Sequence, residues 1–550
     1  MKVLDLHLHP SLKPYNNNGY RRNEELNIWE NVLEIKEHFK SLPRMIRMTF
    51  NETQRDSQSN LNRFLPGKTS LGFFSLHPVE RGWYDLEARK RRSIRRFLLD
   101  LFLRPSHYPH LAASMSGLPY IKVLKILSRV KDGRGIDYYE KETFKEYLYI
   151  VEQSKTTGAD GARFEIVSDF GHYQQVLQKK NTFGAVFSVE GGHALTNLKY
   201  NEWLYKPYEK MEPHEQVELR SATLRNVLRL KGQSPSDVFN FDPDHTPFFV
   251  TFCHMFNNFL CGHAKTFGDG KFVLPGMSDL LHQETSMNNG ITPLGWEVLQ
   301  SLLSRENGRR ILIDVKHMSM RSRGQYYEYV ANLRMEGEQV PIICSHGAAN
   351  GYETNYLNRL DRNRLNKGEY FSRWSINLSN EDIRAIFESD GIIGIVPHEG
   401  RMPGSRLKKQ FRKLKKKNKS RELKSEYNKL IWSNIFQMVA AVNQKQAWDM
   451  ICLGSDYDGM MDPFNGYEKQ DDLLVLASDL AEYLDKKPRI SIYRDGLLIE
   501  LELKEIRDLM FHFTAEELVE KIFSANLENF LSKYFTKGYL EKEKQENIMA

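Results

Sequence analysis

Eight short apolar runs recur along the 550-residue chain, and nearly every one ends in a histidine or a carboxylate. They are KVLDLHLH (2–9), LGFFSLHPVE (71–80), GAVFSVEGGH (184–193), FFVTFCHM (248–255), RRILIDVKHM (309–318), PIICSHG (341–347), DGIIGIVPH (390–398) and MICLGSDYDG (450–459). Runs this short and this apolar predict strands buried on both faces, the pattern of a parallel sheet. Helical patterns separate several of them. In ITPLGWEVLQSLLSREN, Thr292 is the N-cap, Pro293 takes the first helical position, and Leu294, Val298, Leu299, Leu302 and Leu303 share one face. In LSNEDIRAIFESDG, Ser379 is the cap and Glu381 and Asp382 fill the first turn; in FTAEELVEKIFSANLENFLSKYF, Thr514 and Glu517 form a capping-box pattern. Eight strands with helical crossovers predict an α/β fold, a (β/α)8 TIM-type barrel with long loop insertions. An open doubly wound sheet would call for a glycine-rich phosphate turn after the first strand, and the sequence has none there.

The long pieces between the runs, near 84–180, 200–246, 351–375 and 400–447, carry no repeats and are expected as insertions in one barrel spanning 1–536. Residues 537–550 are expected to be a polar tail. No apolar stretch reaches the ~18 residues of a membrane span, and the first residues lack the basic-then-apolar pattern of a secretion signal. Cys253, Cys261, Cys344 and Cys452 show no paired spacing and read as reduced core thiols, so the expected location is cytoplasmic. The net charge of +7 is local in origin. Residues 406–429 hold twelve Lys/Arg against two Glu, which leaves the rest of the chain slightly acidic. That stretch reads as a solvated helix or surface insertion, and a nucleic-acid partner is not expected.

In a parallel barrel all strand C-termini converge on one face, where active sites are built. The residues brought there would be His7, His9, His77, Glu190, His193, His254, His317, His346, His398 and Asp456. His7 and His9 lie two apart, so both project to the same side of a strand and can share one ion. With His317, His346, Glu190 and Asp456 they supply enough nitrogen and oxygen ligands for two divalent cations, with zinc the expected metal. Glu190 is the acid placed to bridge the pair, and Gly191 and Gly192 after it suit a sharp turn at a crowded site. Such a pair activates water for hydrolysis of an amide, ester or similar bond, with Asp456 orienting the water and carrying its proton.

The chain resembles the membrane dipeptidase (renal dipeptidase) family of zinc peptidases within the amidohydrolase superfamily. The resemblance lies in SVEGGHAL (188–195), VTFCHMFNN (250–258), GITPLGWEVLQSL (290–302), LIDVKHMS (312–319), PIICSHGAAN (341–350), DGIIGI (390–395), LGSDYDG (453–459) and KIFSANLENFL, in family order. It implies a dipeptidase-like hydrolase acting on dipeptides or small N-acyl amino acids through a hydroxide held between two zinc ions. In that reading Glu190 bridges, His7 binds the more buried metal, and His317 and His346 bind the second. His254 binds or polarises the substrate and Asp456 is the catalytic acid. His193, Asp458 and His398 are expected to support the ligands without binding metal themselves.

Two departures stand out. The family's first motif is His-x-Asp, and here His9 takes the aspartate position. The family arginine that grips the substrate carboxylate aligns with Ile376, in an expanded region where Arg373, Arg359 and Arg362 are candidate replacements. The altered arginine region keeps a lactone, phosphoester or other acylated substrate as an alternative. A non-enzymatic barrel binding a partner through 406–429 is a second one. Loops at the mouth are candidates for a lid or a homodimer interface. His263 and Cys261 are expected as loop residues, and Asp5 and Asp314 are expected to face neighbouring strands or helices. No Gly-x-Ser-x-Gly elbow supports a serine nucleophile.

Overall fold

The computed structural model describes residues 1–17, 26–30, 57–84, 109–110, 112–113, 118–266, 283–354, 370–459 and 462–542. All eight apolar runs form strands: β1 (Val3–Leu8), β2 (Thr69–Leu76), β3 (Thr182–Glu190), β4 (Phe249–Thr251), β5 (Leu312–Asp314), β6 (Ile343–Gly347), β7 (Ile392–Ile395) and β8 (Ile451–Leu453). They pair in that order, every pair parallel. The sheet closes at its mouth. Leu8 bridges Tyr457 in parallel, Asp456 N donates to His7 O at 2.8 Å, and His9 N donates to Tyr457 O at 2.9 Å. The fold is therefore a (β/α)8 barrel. A ninth strand, Arg163–Ile166, pairs with Thr182–Ala185 on the edge of β3 that the short β4 does not reach.

The strands are buried along almost their whole length, as the uninterrupted apolar runs require. Helices α1 (Pro293–Leu303), α2 (Met320–Met335) and α3 (Asn380–Glu388) follow β4, β5 and β6. The Thr292 hydroxyl caps α1 by accepting from Gly295 N, and Leu294, Val298, Leu299, Leu302 and Leu303 are the buried face. Each such side chain contributes about 1.5–3 kcal/mol over its exposed state. Ser379 and Asp382 form a reciprocal capping box on α3, and Thr514 and Glu517 form another on Ala515–Glu520.

After β7, the basic segment folds as two helices, α4 (Ser405–Lys416) and α5 (Ser420–Val442). α4 buries only Leu407 and Phe411 and turns most of its cations to solvent. α5 buries Ile431, Trp432, Ile435, Phe436 and Val439, so the second half of the 400–447 segment is the crossover into β8. Lys537–Leu540 forms a short helix with Leu540 buried, and Tyr539 donates to Gln339 O at 2.9 Å. Among the described residues no helix is long and apolar enough to cross a membrane.

One local correction bears on the site. In runs four, five and eight the ladder stops at Thr251, Asp314 and Leu453, so His254, His317 and Asp456 stand on the loops beyond. His317 and Asp456 have φ of 66° and 57°, left-handed values that a strand ladder does not contain.

Candidate metal centre

Glu190 ends β3 at the centre of the mouth, 3% exposed, with imidazoles on every side. Its Oε2 lies 3.2 Å from His9 Nε2 and 3.3 Å from His77 Nδ1. Its Oε1 lies 3.5 Å from His7 Nε2, 3.6 Å from His317 Nε2, 3.7 Å from His346 Nε2 and 3.8 Å from His254 Nε2. Asp456 faces the same space, with Oδ1 3.6 Å from His9 and 3.8 Å from His7, and Oδ2 3.9 Å from His346. Most of these separations exceed hydrogen-bond length. They are the spacing of atoms sharing an ion, since ligands about 2.1 Å from a tetrahedral centre stand about 3.4 Å apart. Three groups of potential ligands result: His7, His9, Glu190 and Asp456; Glu190, His317 and His346; and His77, Glu190 and His254.

Several rings are turned so that a lone pair faces inward. His9 Nδ1 lies 3.0 Å from Ser75 O, and donation to that carbonyl leaves Nε2 free, 3.1 Å from His7 Nε2. Two bare imidazole nitrogens that close repel unless a proton or cation lies between them. The Ser345 hydroxyl donates to Asp314 Oδ2 at 2.6 Å and stands 2.9 Å from His346 Nδ1, from which it accepts. Asp314 also accepts from Thr251 Oγ1 at 2.5 Å and from Ser345 N and Lys316 N at 3.0 Å, so it clamps the ends of β4, β5 and β6 together. This carboxylate–hydroxyl–imidazole chain fixes the tautomer that frees His346 Nε2. Ser345→Ala should lower metal affinity by about 10- to 100-fold, read as metal retained against a competing chelator. Unchanged retention would mean the ring is held by packing alone. His7 and His317 keep Nδ1 buried with no hydrogen-bond partner among the described residues.

Glu80 closes run two and binds His254 Nδ1 at 2.6 Å while accepting from Met255 N and Phe256 N. It thereby aims His254 Nε2 at Glu190. Gly191, at φ 99°, makes the turn out of β3; a β-carbon there would lie 2.3 Å from the His193 ring.

The charges are strongly coupled. Burial opposes a charge on His9, but Glu190 and Asp456 overcome it and push its pKa up to about 10. Burial likewise opposes charge on Glu190, and the surrounding imidazoles, His254 and His9 foremost, hold it well below the usual carboxylate range. Burial drives His317 and His346 well below the ordinary histidine value, so both are neutral and fit to coordinate.

The other candidates sit around this centre. His193 Nε2 donates to Pro78 O at 2.7 Å, with Nδ1 3.9 Å from Glu80. Asp458 pins a neighbouring segment, accepting from Gln58 N and Ser59 N and pairing with Lys13 at 2.9 Å. His398 accepts from Gly400 N at 2.7 Å within its own turn. His263 is buried in the loop after β4, its ring near Ala264 O and Thr285 O, and Cys261 bridges Ile291 there. Asp5 is in phase with His7 and His9 and ties β1 to the β8 loop, accepting from Ser455 N at 2.9 Å. Arg373 lays its guanidinium over Tyr352 at 3.5 Å and Tyr493 at 4.4 Å. Arg359 and Arg362 lie outside the described residues.

Two cations near the centre were not singled out by the sequence. Lys316, between Asp314 and His317 in LIDVKHMS, is 2% exposed, and its Nζ has no hydrogen-bond partner among the described residues. Burial, with Arg401 nearby, lowers its pKa to about 8. Arg401, half-buried in the loop after β7, donates to Thr266 O at 2.8 Å; burial lowers it to about 10 against the opposing pull of Asp456 and Glu190.

No family model matches the chain, and no curated protein does. Solved structures do. The chain is similar to dipeptidase-type metallopeptidases. The dipeptidase AC, described as a metallopeptidase, has a TM-score of 0.45 at 10% identity, covering 97% of this chain and 99% of its own. A metallopeptidase from Rhodobacter sphaeroides, liganded with a phosphinate mimic of the dipeptide L-Ala-D-Ala, has a TM-score of 0.41 at 11% identity over 97% and 99%. The probable dipeptidase PvdM from Pseudomonas aeruginosa has a TM-score of 0.39 at 12% identity over 90% and 96%.

Proposed function

We propose that the chain is a hydrolase dependent on two divalent metal ions, zinc by choice of ligands, that cleaves the amide bond of dipeptides or small N-acyl amino acids. One observation carries this reading: Glu190 is shared by the His7, His9 and Asp456 group and the His317 and His346 group, with Oε2 against His9 and Oε1 against His7, His317 and His346. A carboxylate so placed can bridge two ions, with His7, His9 and Asp456 completing the first group. The donor set of neutral imidazoles and carboxylates suits zinc. Bound there, the ions would lower the pKa of a water and polarise the scissile carbonyl.

The protein's own groups supply the rest. Asp456 reaches both ligand groups and is the group to hold the attacking water's proton and pass it to the leaving amine. His254, aimed by Glu80, presents Nε2 to the space beside Glu190, where it can hydrogen-bond the substrate carbonyl. We place the protein in the cytoplasm, a setting supported by four buried cysteines, none in a disulfide.

Protein purified without chelator should carry about two zinc ions per chain by metal analysis and hydrolyse a panel of dipeptides, including ones with a C-terminal D-residue. Fewer than one ion per chain sinks the reading. Turnover of lactones or phosphoesters with no dipeptide turnover would move the activity to the other substrate class. Uptake also depends on pH, and the sign follows from His9. Its folded pKa stands above the ordinary value, at about 10, so near neutrality the metal-free protein holds a proton that an ion must displace. Affinity should rise with pH by up to about tenfold per unit between the ordinary histidine value and about 10, with proton release on binding. Titration calorimetry in buffers of different ionisation enthalpy reads that release directly.

A further inference from the structure

We propose that Lys316 and Arg401 form an anion-binding subsite beside the metal centre that holds a free carboxylate of the substrate. The proposal rests on the hydrolase reading above and adds the recognition element that the 351–375 region was expected to supply.

Lys316 is the decisive residue. An ammonium group that is 2% exposed costs several kcal/mol unless it is paired, and its Nζ finds no hydrogen-bond partner among the described residues. Arg401 donates to Thr266 O at 2.8 Å, and Ala264, two residues before Thr266, donates its N–H to O of His317, the neighbour of Lys316, at 2.8 Å, so both cations adjoin the same loop. Neither forms an ion pair among the described residues. The carboxylates that act on them are the wrong ones to neutralise them permanently. Asp456 and Glu190 belong to the ligand groups and would be committed to metal. Asp314 is already engaged by Thr251, Ser345 and the Lys316 backbone.

Loading the centre with two divalent ions leaves the two cations facing more positive charge. The group that satisfies this arrangement is an external anion, and a planar carboxylate fits a guanidinium beside an ammonium. Arg373 is engaged elsewhere, stacked on Tyr352 and Tyr493. The pair comes from the loops after β5 and β7, so a substrate would lie with its carboxylate beside those loops and its scissile carbonyl over Glu190.

The test compares glycylglycine with glycylglycinamide on the metal-loaded protein. The wild type should prefer the acid by about 10- to 100-fold in kcat/KM, mostly through KM. In Lys316→Met and in Arg401→Leu the acid-to-amide ratio should fall toward unity, and Arg401→Lys should restore part of it. Arg401 is less buried than Lys316, so its variant keeps the test alive if Lys316→Met does not fold. Equal turnover of acid and amide by the wild type, or a preference that survives in both variants, overturns the subsite. If metal is bound and neither compound is cleaved, the failure belongs to the hydrolase reading. Calorimetric binding of N-acetylglycine against N-acetylglycinamide then decides the subsite alone. Tighter binding of the acid that both variants lose supports it, and equal binding overturns it.

Discussion

Glu190→Gln should leave a folded barrel that retains little metal and hydrolyses at least ~10³-fold more slowly. The amide keeps the shape of the side chain but loses its charge and half its acceptor capacity, in a place where His7, His9, His77, His254, His317 and His346 all lie within 3.8 Å of the carboxylate. No other single side chain belongs to all three ligand groups. The loss should therefore exceed that from any one histidine. Metal analysis after gel filtration, beside turnover of the best dipeptide, measures both effects. Retention of two ions per chain with wild-type turnover would remove Glu190 from the centre of the scheme.

Asp382→Ala should be among the most destabilising substitutions, costing about 3–5 kcal/mol. Asp382 takes the Arg323 guanidinium in a two-point grip, Nε to Oδ1 at 2.9 Å and Nη2 to Oδ2 at 3.1 Å, with both residues at most 1% exposed. It also accepts from Tyr327 and from Ser379 N, closing the capping box of α3. Removing it strands a buried cation and breaks one half of the capping box in one step. The same guanidinium donates to Met318 O, the residue after His317, so the loss reaches the candidate metal centre through the backbone. Urea unfolding reads the cost. The double replacement Arg323→Met with Asp382→Leu should recover much of it, because no buried charge is left unpaired. If the double variant is as unstable as the single, the fault lies in packing.

The barrel was legible in the sequence because each strand is buried on both faces, which turns it into a continuous apolar run. The centre was legible because every strand points the same way, so the residues ending the runs had to meet. Glu190, His7, His9, His254, His317, His346 and Asp456 do lie together. Their exact perch was not legible. Nothing in RRILIDVKHM shows that the ladder ends at Asp314 and that His317 adopts a left-handed backbone. The supporting residues were harder still. Glu80 ended its run and obeyed the same rule, so its pairing with His254 was within reach. Asp314 looked like a carboxylate facing away, and its role depends on a hydroxyl from the next strand. Arg401 carries no periodic signal, because a loop after β7 delivers it.

The seam between the first and last strands has a temporal consequence. Asp5 and Ser455 are joined across 450 residues, and the backbone bond from Asp456 to His7 lies in the same seam. During synthesis His7 and His9 are made hundreds of residues before the acid that faces them, Asp456. At about 5–20 residues per second, that delay is roughly 20 to 90 seconds. The centre is therefore assembled last, and a nascent chain can hold at most a partial ligand set until β8 docks. On the proposed reading, metal acquisition would report that β8 has docked and the barrel has closed, and ions bound across the seam would act as a clasp on it.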